Sequence, residues 1–139
     1  MSDALTLPGN GEEQVFQQVR EILSSARRNF WRAANTAMVS FYWEIGRVIV
    51  EEEQRGAERA GYGKRLLESL SKRLSAEFGK GFDPSNLRYM RLFFQAFPIR
   101  DALRHELTWT HYRLLVRIEN LQARSFYEQE LAGASGGDG

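Results

Sequence analysis

Five polar side chains that can contact nucleic acid follow a pair of glycines in the middle of the chain. They are Ser85, Asn86, Arg88, Tyr89 and Arg91, in the segment that begins after Gly79 and Gly81. Arginine and asparagine can each make paired hydrogen bonds to base edges in the major groove of DNA, and arginine also binds phosphate. These residues occupy about two helical turns. The segment is therefore a candidate DNA-reading helix.

Two amphipathic helices joined by a glycine-rich turn are predicted to position this segment. The first helix has an apolar stripe at three- and four-residue spacing, made of Leu66, Leu67, Leu70, Leu74 and Phe78. The stripe of the second helix is made of Leu87, Met90, Phe94 and Phe97. Gly79 and Gly81 end the first helix, Asp83 caps the second, and Pro84 occupies its first position. This order predicts a helix-turn-helix over residues 64–97, whose second helix enters the major groove.

Basic side chains of the first helix and the turn are predicted to hold DNA phosphates. They are Lys64, Arg65, Lys72, Arg73 and Lys80. The whole chain has a net charge of only +1, but residues 55–124 hold 14 basic and 7 acidic side chains, a net of +7. Positive charge concentrated on one segment is typical of a protein with a polyanionic partner. DNA, duplex more than single strand, is the expected partner.

Composition limits the remaining classes of protein. The 139 residues are 42% hydrophobic and include no cysteine, which excludes disulfides, thiolate metal sites and a cysteine nucleophile. No apolar run approaches the roughly 18 residues of a membrane span. The first residues lack the pattern of a secretory signal. These features predict a cytoplasmic protein without a membrane partner.

Helical periodicity dominates the rest of the chain, and it predicts an all-α fold with a long N-terminal helix followed by a helix-turn-helix-type bundle. The expected order is a disordered N-terminus (1–11), a helical domain (12–131) and a flexible tail (132–139). Within the domain, a long helix (12–53) precedes the helix-turn-helix, and a helical pair (108–131) follows it. The apolar stripe of the long helix needs a partner, and a second copy of the chain is the expected one. Gly46 is a place where this helix can bend.

Other groups of polar residues carry weaker signals. His105 and His111 lie six residues apart, whereas helical metal pairs lie three or four apart, so we expect no metal site. We expect His111 instead to pack or hydrogen-bond beside Trp109. The segment from Gly61 to Lys64 lacks the spacing of a phosphate loop, and a turn at a helix start explains it better. No cofactor is predicted.

Three segments together resemble the N-terminal domain of the YhcG family. They are WEIGRVIVEEEQRGAERAGYGKRLLESLSKRL (Trp43–Leu74), FGKGFDPSNLRYMRLFFQAFP (Phe78–Pro98) and LTWTHYRLLVRIENLQARSFYEQE (Leu107–Glu130). The resemblance covers roughly residues 12–131. It implies a helical, helix-turn-helix-type domain with a DNA-binding role, which in relatives precedes a nuclease domain of the PDDEXK type.

The nuclease centre of such relatives is absent from this sequence. A PDDEXK site needs an acidic residue two positions before a lysine, so that carboxylates hold a metal ion beside the lysine. Tyr62, Leu70 and Phe78 occupy those positions before the three lysines. We therefore expect a non-enzymatic DNA-binding module that targets an attached nuclease domain. The alternatives are a protein-interaction or homodimerisation module built on the long N-terminal helix, and, less favoured, an independent enzyme.

Overall fold

The structure of the protein is a computed structural model that describes residues 9–137. Within this range, five α-helices and one 3₁₀ turn make up the regular structure. The helices are α1 (Gly9–Arg55), α2 (Tyr62–Phe78), α3 (Pro84–Ala96), α4 (Trp109–Leu115) and α5 (Leu121–Gly137), and the 3₁₀ turn spans Arg100–Ala102. No strand occurs between residues 9 and 137. The predicted all-α class, with a long N-terminal helix, is confirmed.

The two chain ends differ from the expectation of disorder where the structure describes them. Helix α1 already includes residues 9–11, and α5 continues to Gly137, past the residue Leu131 at which the sequence suggested its end. Alanine at three of the positions from 123 to 134 supports helix continuation, although glycines are frequent there. The predictions for residues 1–8 and 138–139 lie outside the described residues.

The chain divides into two units, residues 1–35 and residues 36–139. The described part of the first unit is the beginning of α1, and its large apolar side chains are exposed to solvent. The second unit contains the remainder of α1 and the other four helices, and it contains the buried core. The candidate DNA-contacting residues all belong to this second unit.

Aromatic rings from α3 and α4 form the centre of that core. Phe93 is fully buried, and its ring centre lies 4.6 Å from that of Tyr112 and 5.3 Å from that of Trp109. Phe97 contacts Tyr112 edge-on at 5.2 Å. Tilted and edge-on arrangements of this kind stabilise a core beyond the area they bury. The predicted apolar stripe of α3 is correct at Leu87 and Met90, which are buried, whereas Phe93, which was not among the four residues of that stripe, lies at the centre of the core.

Helix α1 contacts α3 closely, through Gly46 and Trp43. Gly46 is buried, and a Cβ added to it would overlap the main-chain carbonyl oxygen of Met90. Trp43 donates its indole N–H to the carbonyl oxygen of Phe97 at 2.7 Å. Helix α1 runs unbroken through Gly46, so this glycine allows a close helix contact; it does not break the helix.

The turn between α2 and α3 has the predicted chemistry. Gly79 and Gly81 both adopt positive φ angles, 85° and 105°, which glycine tolerates without strain. The carboxylate of Asp83 accepts the main-chain N–H of Asn86 at 3.4 Å, and Pro84 is the first residue of α3. The start of α3 is thereby set by its own sequence.

None of the described helices combines the length and the apolar character that crossing a membrane requires.

Replacing Gly46 by alanine should test the close contact of α1 with α3. Because the added methyl group meets main chain, which cannot move aside as a side chain can, Gly46→Ala should lower the free energy of unfolding by about 2 kcal/mol. Gly133→Ala is the matched control, since Gly133 is also helical and has open space around it. It should raise stability by about 0.5 kcal/mol. Urea denaturation followed by circular dichroism measures both; equal changes in the two variants would contradict the close contact.

Candidate nucleic-acid interface

The exposed face of α3 is set by the residues that this helix buries. Leu87, Met90 and Phe93 are wholly buried. At 100° per residue, the opposite face carries Ser85, Arg88, Leu92 and Gln95. Arg88 is exposed and pairs with no carboxylate of the described residues. Of the residues predicted to read DNA, Arg88 therefore has the most accessible charge.

Asn86 lies on the buried side of α3, not on the outward face where the sequence analysis placed it. Only 9% of the residue is exposed. Its side-chain Nδ2 donates to the carbonyl oxygen of Gly81 at 2.6 Å, and its Oδ1 accepts the indole N–H of Trp109 at 3.2 Å. This amide connects the turn, α3 and α4. A base edge has no access to it while these bonds are intact.

Arg91 is accessible only in part, and its charge is compensated. Its Nη1 donates to Oε2 of Glu53 at 2.9 Å, and the two side chains are 26% and 20% exposed. Because Glu53 belongs to α1, this ion pair joins two helices of the second unit, residues 36–139, which we call the core unit. Dissolved salt screens a partly buried pair less than it screens an exposed one, so the two charges remain coupled. Arg91 therefore offers less positive potential to a ligand than Arg88.

The predicted phosphate-binding cations of α2 and the turn are exposed. They are Lys64, Arg65, Lys72, Arg73 and Lys80. None of them forms an ion pair with a carboxylate within the described part of the chain. Arg65 and Lys72 lie seven residues apart on the face opposite the buried Leu67. Arg65 also donates to the carbonyl oxygen of Ala60 at 2.8 Å, which limits its reach.

Tyr89 is half-buried on the flank of α3, where two arginines from α4 and its C-terminal turn converge on it. The Nε of Arg117 donates to the phenol oxygen at 2.9 Å, and its Nη2 donates to the same atom. The guanidinium carbon of Arg113 lies 4.4 Å from the ring centre. The hydrogen bond from Arg117 is the main reason why the pKa of Tyr89 is lowered from its ordinary value. Ser85 lies beside the exposed face, half-buried at the second position of α3.

Comparison with known proteins places the chain in a protein family. Residues 18–135 match the family described as the DUF1016 N-terminal domain. The chain belongs to this family. It is 37% identical to an Escherichia coli (strain K12) protein named "Putative nuclease YhcG", across 86% of this chain. The match covers 40% of that protein, so the chain spans less than half the length of this relative. No solved structure matches the chain significantly.

His111 has a structural role in this DUF1016 N-terminal domain. His111 Nδ1 accepts the main-chain N–H of Thr108, and Thr108 Oγ1 accepts the main-chain N–H of His111, both at 3.1 Å. These reciprocal bonds cap α4, with Thr108 as its N-cap. Among the described residues, no three His, Asp or Glu side chains lie close enough to hold a metal ion.

Arg113 and Arg117 are the residues of this surface that the sequence analysis did not single out. They follow Tyr89 by 24 and 28 positions, so no local motif joins them to α3. A spacing of four residues is typical of side chains on one side of a helix, although Arg117 lies in the turn after α4. That spacing, together with the net positive charge of residues 55–124, is the sequence signal that could have indicated these two arginines. Only the packing of α4 against α3 shows which residue they contact.

Replacing Asn86 should show that its amide supports the fold. Asn86→Ala leaves the indole N–H of Trp109 and the Gly81 carbonyl without their partner, so the free energy of unfolding should fall by about 2 kcal/mol. Arg88→Ala, two positions along the same helix, should change it by less than about 0.5 kcal/mol because Arg88 is exposed and unpaired. Chemical denaturation of both variants makes the comparison. Equal stability of Asn86→Ala and the parent protein would count against this role.

Proposed function

We propose that this DUF1016 N-terminal domain is a non-enzymatic module that binds duplex DNA. One observation carries the proposal: the cations of α2, the turn and Arg88 are exposed without carboxylate partners in the described part of the chain. Several other arginines of the core unit are instead paired with carboxylates, such as Arg47 with Glu44 and Glu51, and Arg104 with Glu128. Unpaired cations on neighbouring elements are what a phosphate backbone requires.

In this proposal, α2, the turn and α3 act as a helix-turn-helix. Arg88 lies at the centre of the exposed face of α3 and contacts base edges or phosphates, with Ser85 near the helix start. The five cations of α2 and the turn hold the backbone. Asn86 serves the fold and Arg91 is compensated by Glu53, which leaves few side chains for base recognition. Phosphate attraction therefore dominates, and we expect weak sequence preference.

The proposed role of this binding is to bring a nuclease domain to DNA. The relative from Escherichia coli carries the word nuclease in its name, and this chain corresponds to 40% of it. No lysine of this chain follows an acidic residue at the spacing that a PDDEXK centre needs. We assign the cleavage chemistry to an attached domain of that type, outside these residues, and the protein to the cytoplasm, as its sequence suggests.

Removing two unpaired cations should weaken DNA binding and reduce its salt dependence. The double variant Lys72→Ala/Arg88→Ala should lower the slope of log affinity against log salt by roughly 0.9 for each phosphate that is no longer neutralised. The control Arg47→Ala/Arg55→Ala removes the same net charge, but both arginines are paired with carboxylates of α1. Fluorescence anisotropy of a labelled duplex over a salt series measures both. Identical affinity and slope in the two double variants would remove the DNA-binding assignment.

A second function, self-association through α1, rests on the exposed apolar residues of the first unit. Phe16, Leu23 and Phe30 lie seven residues apart and are 56–66% exposed. Val19, Ala26 and Ala33 each follow one of these residues by three positions, at the alternate position of the heptad. A heptad seam of this kind is typical of helices that pair along their length. It agrees with the predicted homo-oligomer.

The alternation of large and small residues fits a second, antiparallel copy of the same helix. With two copies centred between Leu23 and Ala26, each large side chain faces a small one. The facing pairs are Phe16 with Ala33, Leu23 with Ala26, and Phe30 with Val19, each in both directions. Large against small at each layer allows dense packing without overlap. A second copy of this chain is therefore the proposed occupant of the seam.

A charge placed in the seam should prevent self-association. Leu23→Glu puts two carboxylates into the dimer interface, so the variant should be monomeric at concentrations where the parent protein is dimeric. Gln14→Glu adds the same charge on the opposite side of α1 and should leave the mass unchanged. Light scattering over a concentration series measures the mass of each. A monomeric parent protein at all concentrations would exclude this function without affecting the DNA proposal.

A further inference from the structure

Two tyrosines of this chain each lie beneath an arginine, but their phenol groups have opposite partners. The guanidinium carbon of Arg59 lies 4.2 Å from the ring centre of Tyr62, and the Tyr62 hydroxyl donates to the carboxylate of Glu52. That bond is the main reason why the pKa of Tyr62 is raised. At Tyr89, by contrast, the hydroxyl oxygen accepts from Arg117, and no carboxylate of residues 9–137 takes part. Within that range the first cluster has its own anion, whereas the second has none.

The cluster around Tyr89 has more donors than acceptors. Arg117 directs two N–H groups at one phenol oxygen, although a guanidinium fork fits two separate acceptor oxygens better. The Nε of Arg113 is buried and has no hydrogen-bond partner in the part of the chain that the structure describes. Neither arginine pairs with a carboxylate within the described residues; Glu119, the acid nearest to them in sequence, is exposed and forms no ion pair there. Arg88, also exposed, precedes Tyr89 on α3.

We propose that Tyr89, Arg113 and Arg117 form a phosphate-binding site, which takes a phosphodiester of the DNA backbone. In this form the proposal rests on the DNA-binding function above. Two phosphate oxygens accept the fork of Arg117, Arg113 adds a second positive charge, and the Tyr89 hydroxyl, no longer held as an acceptor, donates a hydrogen bond to the same phosphate. A phosphate supplies the several acceptor oxygens that one phenol oxygen lacks.

This site extends the DNA surface beyond the helix-turn-helix. Arg113 belongs to α4 and Arg117 to the turn that follows it, so a phosphate held there contacts a third element of the core unit. Phosphate contacts set the register and orientation of a protein on the duplex. A phosphate contact from an element other than the recognition helix therefore fixes how that helix lies on the DNA. The cluster would thus orient α3, whose own face carries few base-reading side chains.

The phenol of Tyr89 reports directly on occupancy of this site. In the free protein, Arg117 lowers its pKa. A bound phosphate removes the fork from the phenol oxygen, brings negative charge and accepts a hydrogen bond from the phenol O–H, and all three changes raise the pKa of Tyr89. Titration of phenolate absorbance, taken as the difference between the parent protein and Tyr89→Phe, isolates this group. The pKa of Tyr89 should rise in inorganic phosphate, and it should not rise in sodium chloride of equal ionic strength.

Variants at Arg117 test the geometry, and Arg59 provides the control. Arg117→Gln should abolish the phosphate-dependent rise and weaken phosphate binding roughly tenfold, the loss expected for a charge-assisted pair of hydrogen bonds. Arg117→Lys keeps the charge without the fork and should retain only part of the phosphate-dependent rise in the pKa of Tyr89. If the glutamine variant is unstable, the lysine variant tests the role of the fork instead. Arg59→Gln should leave the response at Tyr89 intact. No rise in the parent protein, or an equal rise in Arg117→Gln, overturns the phosphate site.

Duplex binding separates this proposal from the broader function. If phosphate shifts the pKa of Tyr89 but no duplex binds, the phosphate site is supported for a small phosphate ligand and the DNA function fails. If the duplex binds and Arg117→Gln binds it equally well, the DNA function is supported and the cluster is not one of its contacts. The full proposal requires both the pKa shift and a weaker duplex affinity of Arg117→Gln.

Discussion

Burial of Leu87, Met90 and Phe93 is the constraint on which the rest of the candidate interface depends. These side chains have no exposed surface, and the rings of Trp109 and Tyr112 pack around Phe93. Rotating α3 by even one residue, 100°, would move this apolar surface into water, and each large side chain returned to solvent costs about 1.5–3 kcal/mol. The rotation of the helix is thus determined by its core face, and its ligand face follows from that rotation.

Polar side chains that resemble DNA contacts in the sequence divide into two groups once the core is known. Asn86 and Arg91 stabilise the fold, the first through its bonds to Gly81 and Trp109, the second through Glu53 of α1. Arg88 and the cations of α2 have no carboxylate partner among the described residues. A charge that is already compensated contributes little long-range attraction, so the number of basic residues overstates the binding potential.

The DNA-binding and self-association proposals concern different units of the chain and support each other. The unpaired cations and the Tyr89 cluster belong to residues 36–139, whereas the heptad seam belongs to residues 1–35. A dimer carries two DNA surfaces, and simultaneous engagement of both raises affinity without any new kind of interaction. That gain matters most for a surface with few base-reading side chains. Membership of the DUF1016 N-terminal domain family is compatible with both proposals.

The sequence alone determined the helical class, the glycine turn with its Asp83 cap, and the apolar stripes. Each of these features depends on residues that lie within a few positions of one another. The sequence could also have indicated that Asn86 shares a stripe with Met90, Phe93 and Phe97. Tertiary structure alone decided that Gly46 meets Met90, that Glu53 compensates Arg91, and that Arg113 and Arg117 converge on Tyr89. Those partners lie 24 to 44 positions apart in the sequence, and only the packing of whole helices brings such side chains together.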